Sequence, residues 1–403
     1  MPIFHFAFQK TKNLKYIYAI RLVRELANQL MIFFLPLYIF NIRFPFMSRF
    51  NLSGLHEGIF NVAMVYFLTY LVCFLFAIPT TKILIKHGIR SGFLMGHLFY
   101  CLFILCLYLS KDNPYLVLTS AVINGFQINF FWNSYHYSLS RNSDKTKIGT
   151  NLGLINFLLN LLAMISPAIG GLIIVTLGYQ TLFLLGLVIV LGGVVFSLML
   201  DNVHVKDIVS FKEFFTWLKE PGFRRLALSF TGRYFNDASI SLWTLYMFIL
   251  LGSTDGVGYF YSLSLFLALF ISYTAGSFVD KNKGRKQFFV SGGFMSVIWL
   301  MRGFVINIWS ITILNAFDKL TSSFYWLFFD RSWLLRGKGR EALSYFVYRE
   351  MIYSFAAMFF WILVALLFYF FIAAWRSLFI FAAVGVLLTL LVKDHKDSQE
   401  VSI

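Results

Sequence analysis

The chain is written in long apolar runs separated by short polar ones. Twelve stretches stand out, at 16–40, 57–79, 90–110, 115–138, 150–176, 182–200, 226–251, 257–279, 288–306, 308–330, 344–371 and 376–392. Each is of the order needed to cross a hydrocarbon core of ~30 Å as a helix, which takes about 20 residues. Barrel strands of about 10 residues would alternate polar with apolar, and runs such as "LFLLGLVIVLGGVVF" do not. The pattern predicts an all-α polytopic membrane protein with 12 transmembrane helices and, the number being even, both termini on one side.

Composition agrees, with 59% hydrophobic residues, 13% charged and a mean hydropathy of +0.75. The net charge of +16 invites a nucleic-acid reading, so the placement of the cations decides. The segments on the side of the termini carry cluster after cluster: Lys10, Lys12 and Lys15; Lys82, Lys86 and Arg90; Arg141, Lys145 and Lys147; Lys281, Lys283, Arg285 and Lys286. The opposite side holds Arg43, Arg49, Lys111 and Arg376. This is the positive-inside bias, which places both ends in the cytoplasm and explains the basicity by the bilayer without nucleic acid. Cys73, Cys101 and Cys106 all fall in apolar runs and read as packing residues.

The chain also repeats itself. Gly88 and Gly284 each follow a second span of their half and lie 196 residues apart, as do Tyr179 and Trp375, and Phe183 and Phe379, which open the sixth and twelfth spans. Asn28–Phe40 aligns with Asn236–Phe248 at an offset of 208. The organisation expected is a six-helix bundle over 1–200, a cytoplasmic connector over 201–222, and a second six-helix bundle over 223–403 ending in a short cytoplasmic tail. Within the connector Phe211, Phe214, Phe215 and Leu218 recur at helical spacing, as in a short amphipathic helix lying on the membrane.

Ionisable residues inside a span cost roughly 2.5–3.5 kcal/mol on insertion scales and normally face the bundle interior. Arg21 and Glu25 in the first span, and Arg233 and Asp237 in the seventh, are four apart and able to pair. Asp318 with Lys319, and Arg349 with Glu350, lie in the tenth and eleventh; Arg302, near the end of the ninth, is positioned to snorkel. Asp237, Glu25, Asp318 and Glu350, in that order, are the candidates for proton coupling. Charge pairs that merely fix helix packing are the competing reading. Asn129, Trp132, Asn133 and His136 in the fourth span, Asn156 and Asn160 in the fifth, and the repeat-related Asn28 and Asn236 are candidates to line a substrate cavity; amides can equally hold helices together. His, Cys and Asp show no metal-ligand spacing, no phosphate-binding glycine loop is present and no catalytic constellation appears, so neither metal, cofactor nor enzyme activity is expected.

Gly276, Asp280, Lys281, Gly284, Arg285 and Lys286 resemble the glycine–acid–basic loop of the major facilitator superfamily, which that family carries between its second and third helices and again between its eighth and ninth. The first-half copy keeps Gly88 and Arg90 but has Thr80 and Leu84 in place of the first glycine and the acid. "SPAIGGLIIVTLGYQTLF" resembles the family's fifth-helix segment. The resemblance implies a fold of two six-helix pseudo-repeats, with the loop acting as a conformational latch and a site near mid-membrane. It implies a secondary transporter in the cell's cytoplasmic (inner) membrane, working as a monomer on a small-molecule substrate and coupled to protons. Efflux by antiport is the first expectation, and uptake of a sugar or other nutrient the alternative. A non-transporting receptor or scaffold of the same fold is the rival from another class.

Overall fold

A computed structural model describes residues 12–50, 52, 54–143, 148–263, 265–266, 285–337, 341–371 and 374–392. Among the described residues every regular element is helical. Helix α1 (Lys12–Met31) passes through a 3-10 turn at Ile32–Phe34 into α2 (Leu35–Phe40), forming one span. Then come α3 (Gly54–His87), α4 (Ile89–Leu109), α5 (Tyr115–Asn142) and α6 (Ile148–Leu198). The connector helix α7 (Phe211–Lys219) and α8 (Pro221–Leu251) follow. A helix α9 occupies 254–263 and 265–266, before α10 (Arg285–Arg302), α11 (Ile308–Arg336), α12 (Ala342–Phe370) and α13 (Trp375–Thr389).

Helix α6 is long enough for two crossings and bends where Gly178 takes φ 82° and ψ 169°, a conformation that only glycine adopts cheaply. Its two arms are the fifth and sixth spans, so the count of twelve stands. By length and composition Asn13–Met47, Gly54–His87, Ile89–Leu109, Leu152–Leu198 and Ala342–Phe370 qualify as membrane-crossing on their own. The fourth, seventh, ninth and tenth spans are diluted by polar residues, and three of these four helices carry walls of the central cavity. Helices α3, α5 and α11 run past the expected ends at 79, 138 and 330, and their extra turns bury Leu84, Leu139, Trp333 and Leu334.

Helix boundaries have local causes. Pro221 opens α8 at a position where no backbone donor is needed, and Gly252 closes it in the left-handed region (φ 70°). Asn307 and Ser310 form a reciprocal capping box at the start of α11. Ser210 accepts from the backbone N–H of Glu213 to start α7, whose Phe214 is buried while Phe211 and Phe215 are exposed.

Packing follows the repeat. Helix α1 lies along α6, and its counterpart α8 lies along α13 so closely that a Cβ on Gly232 would stand 2.2 Å from the carbonyl oxygen of Gly385. On the side away from Asn13, the two sets of helices meet. Tyr66 of α3 stacks on Trp361 of α12 at 4.6 Å, His56 contacts the Phe368 carbonyl, and Ser262 Oγ of α9 accepts from the backbone N–H of Ala168 in α6 at 3.2 Å. Toward the termini, residues of both repeats enclose a cavity.

Candidate transport cavity

The cavity measures about 380 Å³, within the range of small-molecule sites, roughly 300–1,000 Å³. Both repeats build it: Arg21 of α1, Tyr70 of α3, Trp132 and His136 of α5 and Asn156 of α6 face Arg233 and Asp237 of α8, Asp330 of α11, and Arg349, Glu350 and Tyr353 of α12. Ser140 Oγ of α5 donates to the Leu334 carbonyl of α11 at 3.3 Å and bridges the repeats at the terminal end.

Three ion clusters stand in or beside the wall. At the first, Arg233 Nε donates to Asp237 Oδ2 at 2.8 Å while its Nη1 reaches Asp330 Oδ1 at 3.4 Å. Tyr353 Oη also donates to Asp237 Oδ2 at 2.8 Å, Asn236 Nδ2 donates to Oδ1 at 3.2 Å, and Trp333 Nε1 donates to Asp330 at 3.0 Å. The guanidinium carbon lies over Trp326, 3.7 Å from the ring centre, a cation–π contact. One cation thus serves two carboxylates that come from different helices.

At the second, Arg21 pairs with Glu25, which also accepts from Gln29 Nε2 at 2.6 Å. The three residues rise one turn at a time along α1, and Arg21 also lies 5.1 Å from the Trp132 ring centre and 6.0 Å from that of Tyr135, both on α5. At the third, Arg349 Nη2 donates to Glu350 Oε2 at 2.5 Å and to His136 Nδ1 at 3.0 Å, across the two repeats. An arginine can only donate, so a neutral His136 carries its hydrogen on Nε2. The imidazole stacks on Trp132 (5.2 Å, 19°) and meets Trp333 edge-on at 5.0 Å.

Of the residues nominated from sequence, Asp237, Glu350, Trp132, His136 and Asn156 line the cavity. Glu25 stands behind Arg21. Asn28 accepts from Tyr100 Oη, and Asn236 Oδ1 accepts from Trp299 Nε1 at 2.9 Å, so each amide ties the first helix of its repeat to the third. Asn129 exchanges hydrogen bonds with Cys73 of α3, donating to its carbonyl at 2.9 Å and accepting from its thiol at 3.3 Å. Asn133 is fully buried outside the wall, and Asn160 also stands outside it.

Asp318 lies apart. It pairs at 3.2 Å with Arg302, which is buried to 2% exposure instead of snorkelling, because Trp243 and Trp299 flank its guanidinium and Asn315 accepts from it at 3.4 Å. Lys319 turns away to Tyr261 Oη at 3.0 Å. Asp330, Tyr353, Tyr70 and Trp333 were not nominated. Asp330 sits beside Arg331 near the end of an apolar run, where it reads as an ordinary boundary charge.

Gly276, Asp280, Lys281 and Gly284 lie outside the described residues; Arg285 and Lys286 begin α10. In the first-half copy, Gly88 (φ 89°) turns α3 into α4, and Asn202 of the connector clasps the turn: its Oδ1 accepts from Arg90 N at 3.2 Å and its Nδ2 donates to the His87 carbonyl at 2.9 Å.

A family model described as Major Facilitator Superfamily matches residues 19–260. Among solved structures, the chain is similar to FucP, the E. coli fucose:proton symporter, in its outward conformation, at 14% identity, with 95% of this chain and 98% of that one covered and a TM-score of 0.68. It is similar to the human organic anion transporter MFSD10 at 12% identity (94% and 99% covered, TM-score 0.67). A bacterial homologue of the iron transporter ferroportin, outward-facing, stands at 13% identity (95% and 98% covered, TM-score 0.67). At such identities the likeness establishes the fold. No curated protein matches the sequence.

Proposed function

The chain belongs to the Major Facilitator Superfamily, and from that premise we propose that it is a proton-coupled secondary transporter of a small polar organic solute. The observation that carries this reading is the Arg233–Asp237–Asp330 cluster in the wall of a cavity shared by both repeats. Two carboxylates on one guanidinium leave a surplus negative charge, which a proton neutralises. Asp237 and Asp330 sit on different helices, so a relative movement of α8 and α11 alters how the guanidinium is shared. That is the physical link between a proton and a change of access.

In this proposal residues 1–200 rock against 223–403 about the cavity, with 201–222 as the tether and the loop from Gly276 to Lys286 as a latch. The chain works as a monomer in the cytoplasmic membrane with both termini inside, as the placement of its cations supports. Three arginines and three carboxylates in the wall favour a polar cargo.

The test is solute-driven proton movement in proteoliposomes with an internal pH dye, screened against sugars, amino acids, organic acids and amphipathic drugs. A solute that moves protons with wild type but not with Asp237→Asn supports the reading, and the sign of the pH change separates symport from antiport. A solute that crosses without protons contradicts the coupling, and alternate labelling of cysteines placed in the wall then separates facilitated transport from a scaffold.

A further inference from the structure

The connector carries a face that the cavity does not use. Successive positions turn by about 100° around a helix, so in α7 Phe214 and Trp217 share the side packed on Tyr348 of α12, at ring distances of 5.7 and 5.2 Å. Phe211 and Phe215 form the next edge, 41% and 56% exposed, and Lys212, Thr216 and Lys219, all exposed, form the edge beyond it. Cations dominate this side of the connector. Asp207 and Glu213 are taken, the first by the backbone of Leu343 and Ser344 and the second by Tyr348 Oη at 2.9 Å. Lys206, Lys212, Lys219, Arg224 and Arg225 stand exposed against Asp201 and Glu220, and form no ion pair among the described residues.

We propose that α7 docks on anionic phospholipid headgroups in the leaflet on the side of the termini. This goes beyond the transport reading and does not depend on it. The apolar edge of α7 is continuous with a lipid-facing surface. The Phe211 ring lies 6.4 Å from that of Phe74 on α3, which lies 6.0 Å from that of Phe355 on α12. Phe355 is 61% exposed in the middle of a helix long and apolar enough to cross a bilayer. The rings therefore lead from the span onto α7, and the lysines flank them. Rings in the acyl boundary with cations beside them are how an interfacial helix binds, and a basic cluster on such a helix selects anionic lipid. The same segment holds both repeats. Asn202 clasps the α3–α4 turn, where the Val203 carbonyl also accepts from Ile89 N at 2.9 Å; Asp207 caps α12, where the Ile208 carbonyl accepts from Ser344 Oγ at 3.1 Å. Lipid held on α7 thus steadies the terminal-side ends of both repeats.

The experiment follows hydrogen–deuterium exchange by mass spectrometry on the full chain, in nanodiscs of phosphatidylcholine and of an equal mixture of phosphatidylcholine and phosphatidylglycerol. A lysine at an anionic surface contributes about 5-fold to association, so Lys212 and Lys219 together give about 25-fold. The proposal expects the Phe211–Lys219 amides to exchange about 25-fold more slowly in the anionic discs. Smaller slowing is expected at the α3–α4 turn and the first turn of α12, and the whole difference shrinks at high salt, as screening requires. Lys212→Gln combined with Lys219→Gln removes most of the difference and leaves exchange in the neutral discs unchanged. Lys111→Gln, on the opposite side, keeps it. Equal exchange in the two discs overturns the proposal and leaves the basic face to a soluble acidic protein. A difference that survives the double substitution, or the same slowing in neutral discs supplied with soluble glycerol phosphate, overturns it as well. Slowing at α7 with none at the two anchored segments overturns the steadying of the repeats. The transport reading is tested separately, by solute-driven proton movement.

Discussion

The first and seventh spans hold the same register and have been put to different uses. At an offset of 208, Asn28 matches Asn236, Gln29 matches Asp237 and Glu25 matches Arg233. Both asparagines do the same work, each accepting from a ring group on the third helix of its repeat, Tyr100 or Trp299. One turn away the halves part. In α1 Glu25 finds both its partners, Arg21 and Gln29, on its own helix, with the two charged side chains 15% and 12% exposed, while Arg21 also meets Trp132 and Tyr135 of α5. In α8 the Arg233 pair reaches out to Asp330 of α11 and Tyr353 of α12, and all three charged side chains are 23–29% exposed. A carboxylate whose partners share its helix keeps them when that helix moves. A cluster drawn from three helices is remade by the same movement, which is why the proposed coupling of protonation to shape is placed in the second half.

The strongest way to break this contrast is Arg233→Gln. It leaves two carboxylates in a partly buried site without their cation, and loss of one partner of a buried pair costs about 3–5 kcal/mol. Thermal unfolding in detergent should show a large drop, and raising the proton concentration should recover part of it, because protonating Asp237 and Asp330 removes the unpaired charges. Arg21→Gln, with one carboxylate that keeps Gln29, should fall by less.

Next in size is the shared asparagine. Asn236→Ala strands the indole N–H of Trp299, which is fully buried, at about 1–3 kcal/mol. Asn28→Ala should cost less, since the Tyr100 hydroxyl can rotate to another acceptor. Equal losses would mean that the two halves are held in the same way.

The smallest effect concerns the connector. Asp207 Oδ2 accepts from the backbone N–H groups of Leu343 at 2.8 Å and Ser344 at 3.1 Å, capping α12, while Asn202 clasps the α3–α4 turn. Asp207→Ala should lower stability by about 1 kcal/mol, as loss of a cap does, and should raise the rate at which a cysteine placed at Asn156 is labelled from the terminal side.

Span count, the repeat and the charged register of spans one and seven were legible in the sequence, because bilayer thickness and duplication leave periodic marks. Partners across helices were not. Asp330 follows an apolar run and precedes Arg331, the signature of a membrane boundary, yet its helix continues to Arg336 and holds it in the cavity wall. Arg302 carries the same signature and is instead enclosed by Trp243, Trp299 and Asp318. Asn129, Asn133 and His136 share one helical face in sequence. In the fold α3 takes Asn129 and the cavity takes His136, because the face is wide enough to meet two neighbours.

The most direct measurement is solute-driven proton flux in proteoliposomes for Glu25→Gln and Asp237→Asn side by side, with each protein's folding checked by its unfolding temperature. The account predicts that Asp237→Asn loses coupled flux by about 100-fold or more, the scale on which a positioned proton carrier acts, while Glu25→Gln stays within a few-fold of wild type. Loss of coupling in Glu25→Gln with Asp237→Asn intact would contradict it and move the coupling site to the first half.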